Sequence, residues 1–281
     1  MSYAPSPRPT FDRPTRIPFS QVTRHLWGDP EAGQVDDWIY VSSGRIHQLV
    51  FGLAPGRAFR HSPEFRTVFG ADEVLYVLEG EFGCANPETG EVLLVKPGEA
   101  VFFRKDTWHH GFNLGTTPVK VLEFFAPPPS TGTSGAYART RPYVERSRYE
   151  RDEWLGRLPM ERAPCTTMTP LRDADLHWRL EGERQSLLVG LYAATEHLTV
   201  GRARLLPGQQ SDIMRHGGDC GIYQLSGQLN LLAPEAEGQR WFDLEPRDGF
   251  FVPAGASWQV HNPGSTPAEY LFGVAPRYRP G

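Results

Sequence analysis

Residues Pro97–Pro127, PGEAVFFRKDTWHHGFNLGTTPVKVLEFFAP, align without a gap on residues Pro246–Pro276, PRDGFFVPAGASWQVHNPGSTPAEYLFGVAP. Nine of the 31 pairs are identical, among them Phe102/Phe251, Asn113/Asn262, Gly115/Gly264, Pro118/Pro267 and Pro127/Pro276, where average composition gives roughly two. Self-similarity at one offset means one structural unit used twice. The echo extends upstream as LAPG (Leu53–Gly56) against LLPG (Leu205–Gly208), and as DEVLYVLEG (Asp72–Gly80) against DCGIYQLSG (Asp219–Gly227). Between these landmarks the first copy is five residues longer.

Within each copy, apolar runs of four to eight residues such as HQLVFGL, EVLYVLEG, EAVFF and VKVLEFF are separated by Gly, Pro and Asn, the pattern of short strands joined by turns. With 29 Gly and 26 Pro in 281 residues, long helices are not expected. The expected class is all-β, with two units: 21–129 and 176–281. A proline-rich arm, 1–20, precedes them and is expected to be extended. A linker, 130–175, joins them, in which Ser147, Glu150 and Gly156 suggest one short capped helix.

A net charge of −4 gives no basic footprint for nucleic acid. No apolar run is long enough for a membrane span, and MSYAPSPRPTFDRP lacks a signal-peptide pattern. A cytoplasmic protein without nucleic-acid or membrane partners is expected. Cys84, Cys165 and Cys220 are an odd count without CxxC spacing, which suggests three reduced thiols rather than a disulfide framework or zinc cage.

The duplicated pattern resembles the cupin superfamily, specifically a bicupin with two jelly-roll barrels, over about Val22 to Pro127 and His177 to Pro276. Two motifs carry the resemblance, G-x5-H-x-H-x3,4-E-x6-G and G-x5-P-x-G-x2-H-x3-N, whose three histidines and one glutamate typically converge on a metal. In the first copy Glu73 stands six residues before Gly80, and Gly98, His109 and Asn113 fall in register. Arg104 and Asp106 replace the Pro and second Gly of the later motif. The register selects His109 over His110 as the inward residue, since neighbours on a regular strand face opposite ways. The H-x-H positions fall on Thr67 and Phe69, with His61 near the other count, so the longer segment could deliver His61 by another path.

The resemblance thus implies a metal site of His61, Glu73 and His109, suited to Fe(II) or Mn(II), with Zn or Ni possible. His110, Tyr76 and His47 are the candidate acid/base groups. For His109 the rival reading is a hydrogen-bonded core histidine, and for His61 an exposed loop residue. In the second copy the registers give His216, Cys220 and Trp258; an indole has no lone pair for a metal, so this barrel is expected to be degenerate, its three residues lining a pocket.

The leading expectation is a mononuclear-metal enzyme, an oxidoreductase or isomerase, acting in the first barrel on a small hydroxylated or carbonyl compound by dioxygenase, isomerase or lyase chemistry. The alternative is a non-catalytic bicupin binding a small molecule or sugar. A homodimer is also expected, because jelly rolls leave sheet edges to be covered.

Overall fold

A computed structural model of the chain describes residues 6–63, 66–127, 138–140, 142–150, 155–156, 158 and 167–279. The strands of the first half are β1 (Thr15–Ile17), β2 (Thr23–Asp29), β3 (Gly33–Ser42), β4 (His47–Leu53), β5 (Ala58–Phe59), β6 (Thr67–Phe69), β7 (Asp72–Glu79), β8 (Phe82–Ala85), β9 (Val92–Val95), β10 (Ala100–Phe103), β11 (His110–Phe112) and β12 (Val119–Ala126). The linker carries β13 (Ala138–Thr140) and β14 (Met168–Leu171). The second half contributes β15 (His177–Glu181), β16 (Leu187–Ala194), β17 (Thr199–Leu205), β18 (Met214–Arg215), β19 (Asp219–Ser226), β20 (Leu229–Leu232), β21 (Trp241–Leu244), β22 (Gly249–Val252), β23 (Ser257–His261) and β24 (Ala268–Ala275).

Each half folds as a jelly roll of two antiparallel sheets, and the duplication seen in the sequence recurs strand by strand. The first barrel joins a seven-stranded sheet, β14-β10-β7-β12-β4-β3-β2, to a four-stranded sheet, β5-β11-β8-β9. The second joins β1-β22-β19-β24-β17-β16-β15 to β18-β23-β20-β21. The large sheets exchange edges. The strand that precedes each barrel in the chain pairs with the other one: β1 lies against β22, with Thr15 opposite Phe251, and β14 lies against β10, with Ala100 opposite Leu171. Arm and linker therefore both supply sheet strands, and each covers an edge that would otherwise present unpaired backbone groups.

Alternation along β7 and β12 shows why these runs are almost wholly apolar. Leu75, Val77 and Val121 belong to the interior of the first barrel. Val74, Tyr76, Leu122 and Phe124 point the other way, into a core shared with Tyr192, Tyr223, Phe251 and Leu271 of the second barrel. A sheet buried on both faces needs apolar residues at successive positions. A third cluster, with Phe250, Trp258 and Tyr270, fills the second barrel.

The repeated asparagines are turn staples. Asn113 Nδ2 donates to the carbonyls of Leu53 and Thr117, both at 2.9 Å, while Asn113 Oδ1 accepts from Gly115 N–H at 3.0 Å. Asn262 repeats the set with Leu205, Thr266 and Gly264. Where the second copy has Gly255 at φ 81, the first has Asp106 at φ 65, a residue whose short polar side chain tolerates the left-handed region.

The expected linker helix is a single 3-10 turn, Arg148–Glu150, with Glu150 N–H donating to Ser147 O at 3.4 Å. Gly156 sits in a turn at φ 78. Cys84 and Cys220 are buried free thiols; Cys165 lies outside the described residues. Among the described residues, no helix is long and apolar enough to cross a membrane.

Candidate active site

Strand alternation sends Glu73 of β7 and Glu123 of β12 to the interior of the first barrel, two register positions apart: Phe125 lies opposite Glu73, and Glu123 opposite Leu75. The two carboxyls are hydrogen-bonded to each other. One proton must sit between them, since two ionised carboxylates offer only acceptors. Burial raises the proton affinity of both, Glu73 most strongly and Glu123 to about 7. Burial favours keeping that proton on the pair.

His109, just before β11, stands beside this pair with Nε2 3.9 Å from Glu73 Oε2. Its ring stacks on Phe103 with centroids 4.7 Å apart and meets Phe59 edge-on at 5.9 Å. Nδ1 lies 3.5 Å from the carbonyl of Thr107. That oxygen can only accept, so Nδ1 carries the proton and Nε2 turns its lone pair toward Glu73. Burial holds His109 down at about 4, and it is neutral at ordinary pH.

Glu123 and His109 border a cavity of about 100 Å³ whose walls also include Asp37, His47, Phe51 and Phe125, with Glu73 set behind them. Asp37 is buried, and its proton affinity is well raised by desolvation and then by Glu123. His47 packs on Phe125 at 4.5 Å and is held near 3, first by burial and then by Arg8.

The other expected residues fall elsewhere. His110 faces away from His109: its Nε2 accepts the backbone N–H of His61 at 3.1 Å, and its Nδ1 bonds the hydroxyl of Tyr149 at 3.0 Å. Tyr76 lies on the opposite face of β7 from Glu73, in the layer between the barrels, 5.8 Å from the ring of Tyr192. It does not reach the cavity, for the alternation that brings Glu73 inward sends Tyr76 outward. His61 borders the cavity, but its ring lies edge-on to Trp108, with centroids 3.8 Å apart. Phe69, at one of the family's histidine positions, lines the cavity and stacks on Phe125 at 5.6 Å.

A metal held as the resemblance implies needs His61, Glu73 and His109 together. Among the described residues, no three His, Cys, Asp or Glu side chains are grouped to hold one ion. Glu73 and His109 face one another, but Glu73 shares a proton with Glu123 and the His61 ring packs on an indole. The donors do not complete the expected set, and two ligands rarely hold a divalent ion.

In the second barrel, His216, Cys220 and Trp258 do not line an open pocket, because Tyr278 is packed among them. Its carbonyl accepts from His216 Nδ1 at 2.6 Å, its ring stacks on His216 at 4.9 Å, and its hydroxyl donates to Glu181 at 2.8 Å. Trp258 is 2% exposed, and Cys220, in the position matching Glu73, is fully buried, its thiol pushed upward by desolvation.

Two jelly rolls in tandem, one with polar groups around an interior cavity and one filled by its own core side chains with Tyr278 packed against them, define a two-barrel β protein. The cupin domain family model matches residues 69–125 and 201–274, one stretch in each barrel. Each barrel therefore carries a cupin domain, in a bicupin arrangement. A Pseudomonas aeruginosa protein described as glyoxylate-induced superposes with a TM-score of 0.65 at 16% identity, over 98% of this chain and 96% of that one. An oxalate decarboxylase of Lactobacillus farciminis, in a formate complex, gives 0.63 at 14% identity, over 94% and 87% of the respective chains. The protein Ylba of E. coli gives 0.63 at 12%, over 94% and 90%. At these identities the likeness is one of fold. No match was found among curated proteins.

Proposed function

We propose that the first barrel is an enzyme site for a small hydroxylated or carbonyl compound, working by proton transfer in an isomerase or lyase reaction. One observation carries this reading: Glu123 and His109 stand at the wall of a largely apolar cavity, with Glu73 paired to Glu123 behind that wall. A general base works best when its proton affinity is matched to the working pH, and burial brings Glu123 to about 7. Ionised Glu123 takes the proton from the carbon beside a carbonyl, leaving an enolate, and as the protonated acid returns it to that carbon or, when an adjacent hydroxyl passes its own proton to the enolate oxygen, to the carbon that bore the hydroxyl or carbonyl oxygen next to it. Glu73, hydrogen-bonded to Glu123, steadies the charge before transfer. His109 Nε2, 3.9 Å from Glu73 Oε2, adds a neutral polar neighbour to the pair. No step is assigned to a metal, because the donors do not complete a site for one.

The test is solvent deuterium exchange into a panel of 2-hydroxy and 2-oxo compounds, with and without added Fe(II), Mn(II), Zn(II) or Ni(II). The reading expects exchange without added metal, lost in Glu123→Gln, and metal content well below one per chain. Tight binding of one ion, abolished by both Glu73→Ala and His109→Ala, would replace it with the metal-centred chemistry implied by the resemblance.

A further inference from the structure

We infer that the N-terminal arm completes this cavity with an anion-binding group, Arg8, and that the substrate is a small carboxylate held between Arg8 and His47. The inference rests on the first-barrel cavity being the substrate site and names its substrate class.

Ser6, Pro7 and Arg8 of the arm border the cavity together with His47. The arm is held there by its own backbone, since Ser42 N–H donates to Pro9 O at 2.7 Å. The guanidinium is fixed at the rim, with Arg8 Nε donating to Ser42 Oγ at 3.3 Å and Nη2 to the carbonyl of Ser43 at 3.0 Å. Ser42 ends β3 directly opposite His47, which puts the arginine and the imidazole at one end of the cavity. His47 is 5% exposed, and among the described residues its buried Nδ1 has no hydrogen-bond partner. Such an atom costs free energy unless something bonds it, and a bound carboxylate oxygen is a suitable partner for an imidazole N–H.

Much of the remaining wall is apolar, including Trp27, Leu49, Phe51, Phe59 and Phe125. A guanidinium at the rim of a low-dielectric cleft focuses its field inward, and its planar fork matches a carboxylate better than an ammonium does. Arg60 also borders the cavity, but its guanidinium stacks over Phe112 at 5.2 Å, which makes it the comparison residue. The arm is anchored beyond the site by the second barrel. Arg16 pairs with Asp248 at 2.6 Å, and Phe19 N–H donates to the same carboxylate at 2.9 Å. The filled second barrel thus holds the strand that delivers Arg8.

Calorimetric titration of the full-length protein at neutral pH with lactate, pyruvate and lactamide tests this. Wild type is expected to bind at least one acid and to bind lactamide much more weakly. Arg8→Gln should weaken the acid roughly 10- to 100-fold, as loss of a charge-assisted pair does. Arg8→Lys should recover part of the affinity, and Arg60→Gln should change it little. Unchanged thermal melting of Arg8→Gln checks that the fold survives. Equal binding of acid and amide, equal binding by Arg8→Gln, or no binding of either acid at about 10 mM would overturn the proposal. Deuterium exchange by wild type keeps the two readings apart: acid binding that Arg8→Gln weakens, with no exchange by wild type, leaves Arg8 as an anion-binding group and removes the enzymatic reading alone.

Discussion

Gly273 of the second barrel lies against the ring of Phe124 of the first, so closely that a Cβ built on Gly273 would fall 2.4 Å from the ring edge. The same need for bare backbone recurs at Gly249 against Tyr40, also at 2.4 Å. The barrels are joined by a dry layer that leaves no room for a methyl group at these points. Gly273→Ala should therefore cost about 1–3 kcal/mol by overpacking, read as a lower denaturation midpoint with an unchanged slope. A midpoint equal to wild type would mean that the layer is looser than described.

The tail that packs against the second barrel makes an opposite prediction. Tyr278→Ala keeps the backbone carbonyl that accepts from His216 but removes the ring and the hydroxyl bonded to Glu181. Because the ring is only half-buried, a loss somewhat below the about 3–5 kcal/mol of a fully buried aromatic truncation is expected. Tyr278→Phe should lose about 1 kcal/mol or somewhat more, the value of one hydrogen bond to a charged acceptor. Thermal denaturation of the pair decides whether the ring or the hydroxyl carries the effect.

Asn113 and Asn262 make the same hydrogen bonds in the two copies, so alanine at either position should be similarly damaging. Each substitution leaves two backbone carbonyls without their donor, at a cost of about 2–4 kcal/mol by the usual price of unmet buried groups. Exchange protection measured by amide hydrogen exchange should fall in the barrel that carries the substitution. If Asn113→Ala abolished activity without loss of stability, the residue would belong to the site instead.

Glu123 sets a pH dependence. Its folded proton affinity is raised from 4.5 to about 7, so its favourable contribution is complete below about pH 4.5 and is lost as pH rises through about 7. Glu123→Gln lacks this loss. The melting temperature of the variant relative to wild type should climb between about pH 4.5 and 7 and level off above that. A constant difference across this range would show that Glu123 is not a buried acid.

Much of this molecule could be read from the chain, because duplication and strand alternation are local patterns. The repeat gave two β units, the resemblance to the cupins implied that they are jelly rolls, and counting along the motif distinguished His109 from its neighbour His110, which the structure sends to opposite sides. The same counting, applied outward from Glu73, would have turned Tyr76 away from the cavity. Glu123 carried a signal that went unused: a carboxylate between Leu122 and Phe124 in an apolar strand needs a buried partner, the argument already applied to Glu73.

What the chain alone determined was the architecture and the inward face of each strand, since both follow from spacing a few residues apart. Which side chains meet was decided only by the folded whole. Three-residue edge strands such as Thr15–Ile17 have no pattern that names a partner 232 residues away in Asp248, and Tyr278 reaches His216 only because the tail turns back over its own barrel. Contacts of this kind depend on loop paths and on the shape of two packed surfaces, and short-range sequence periodicity contains neither.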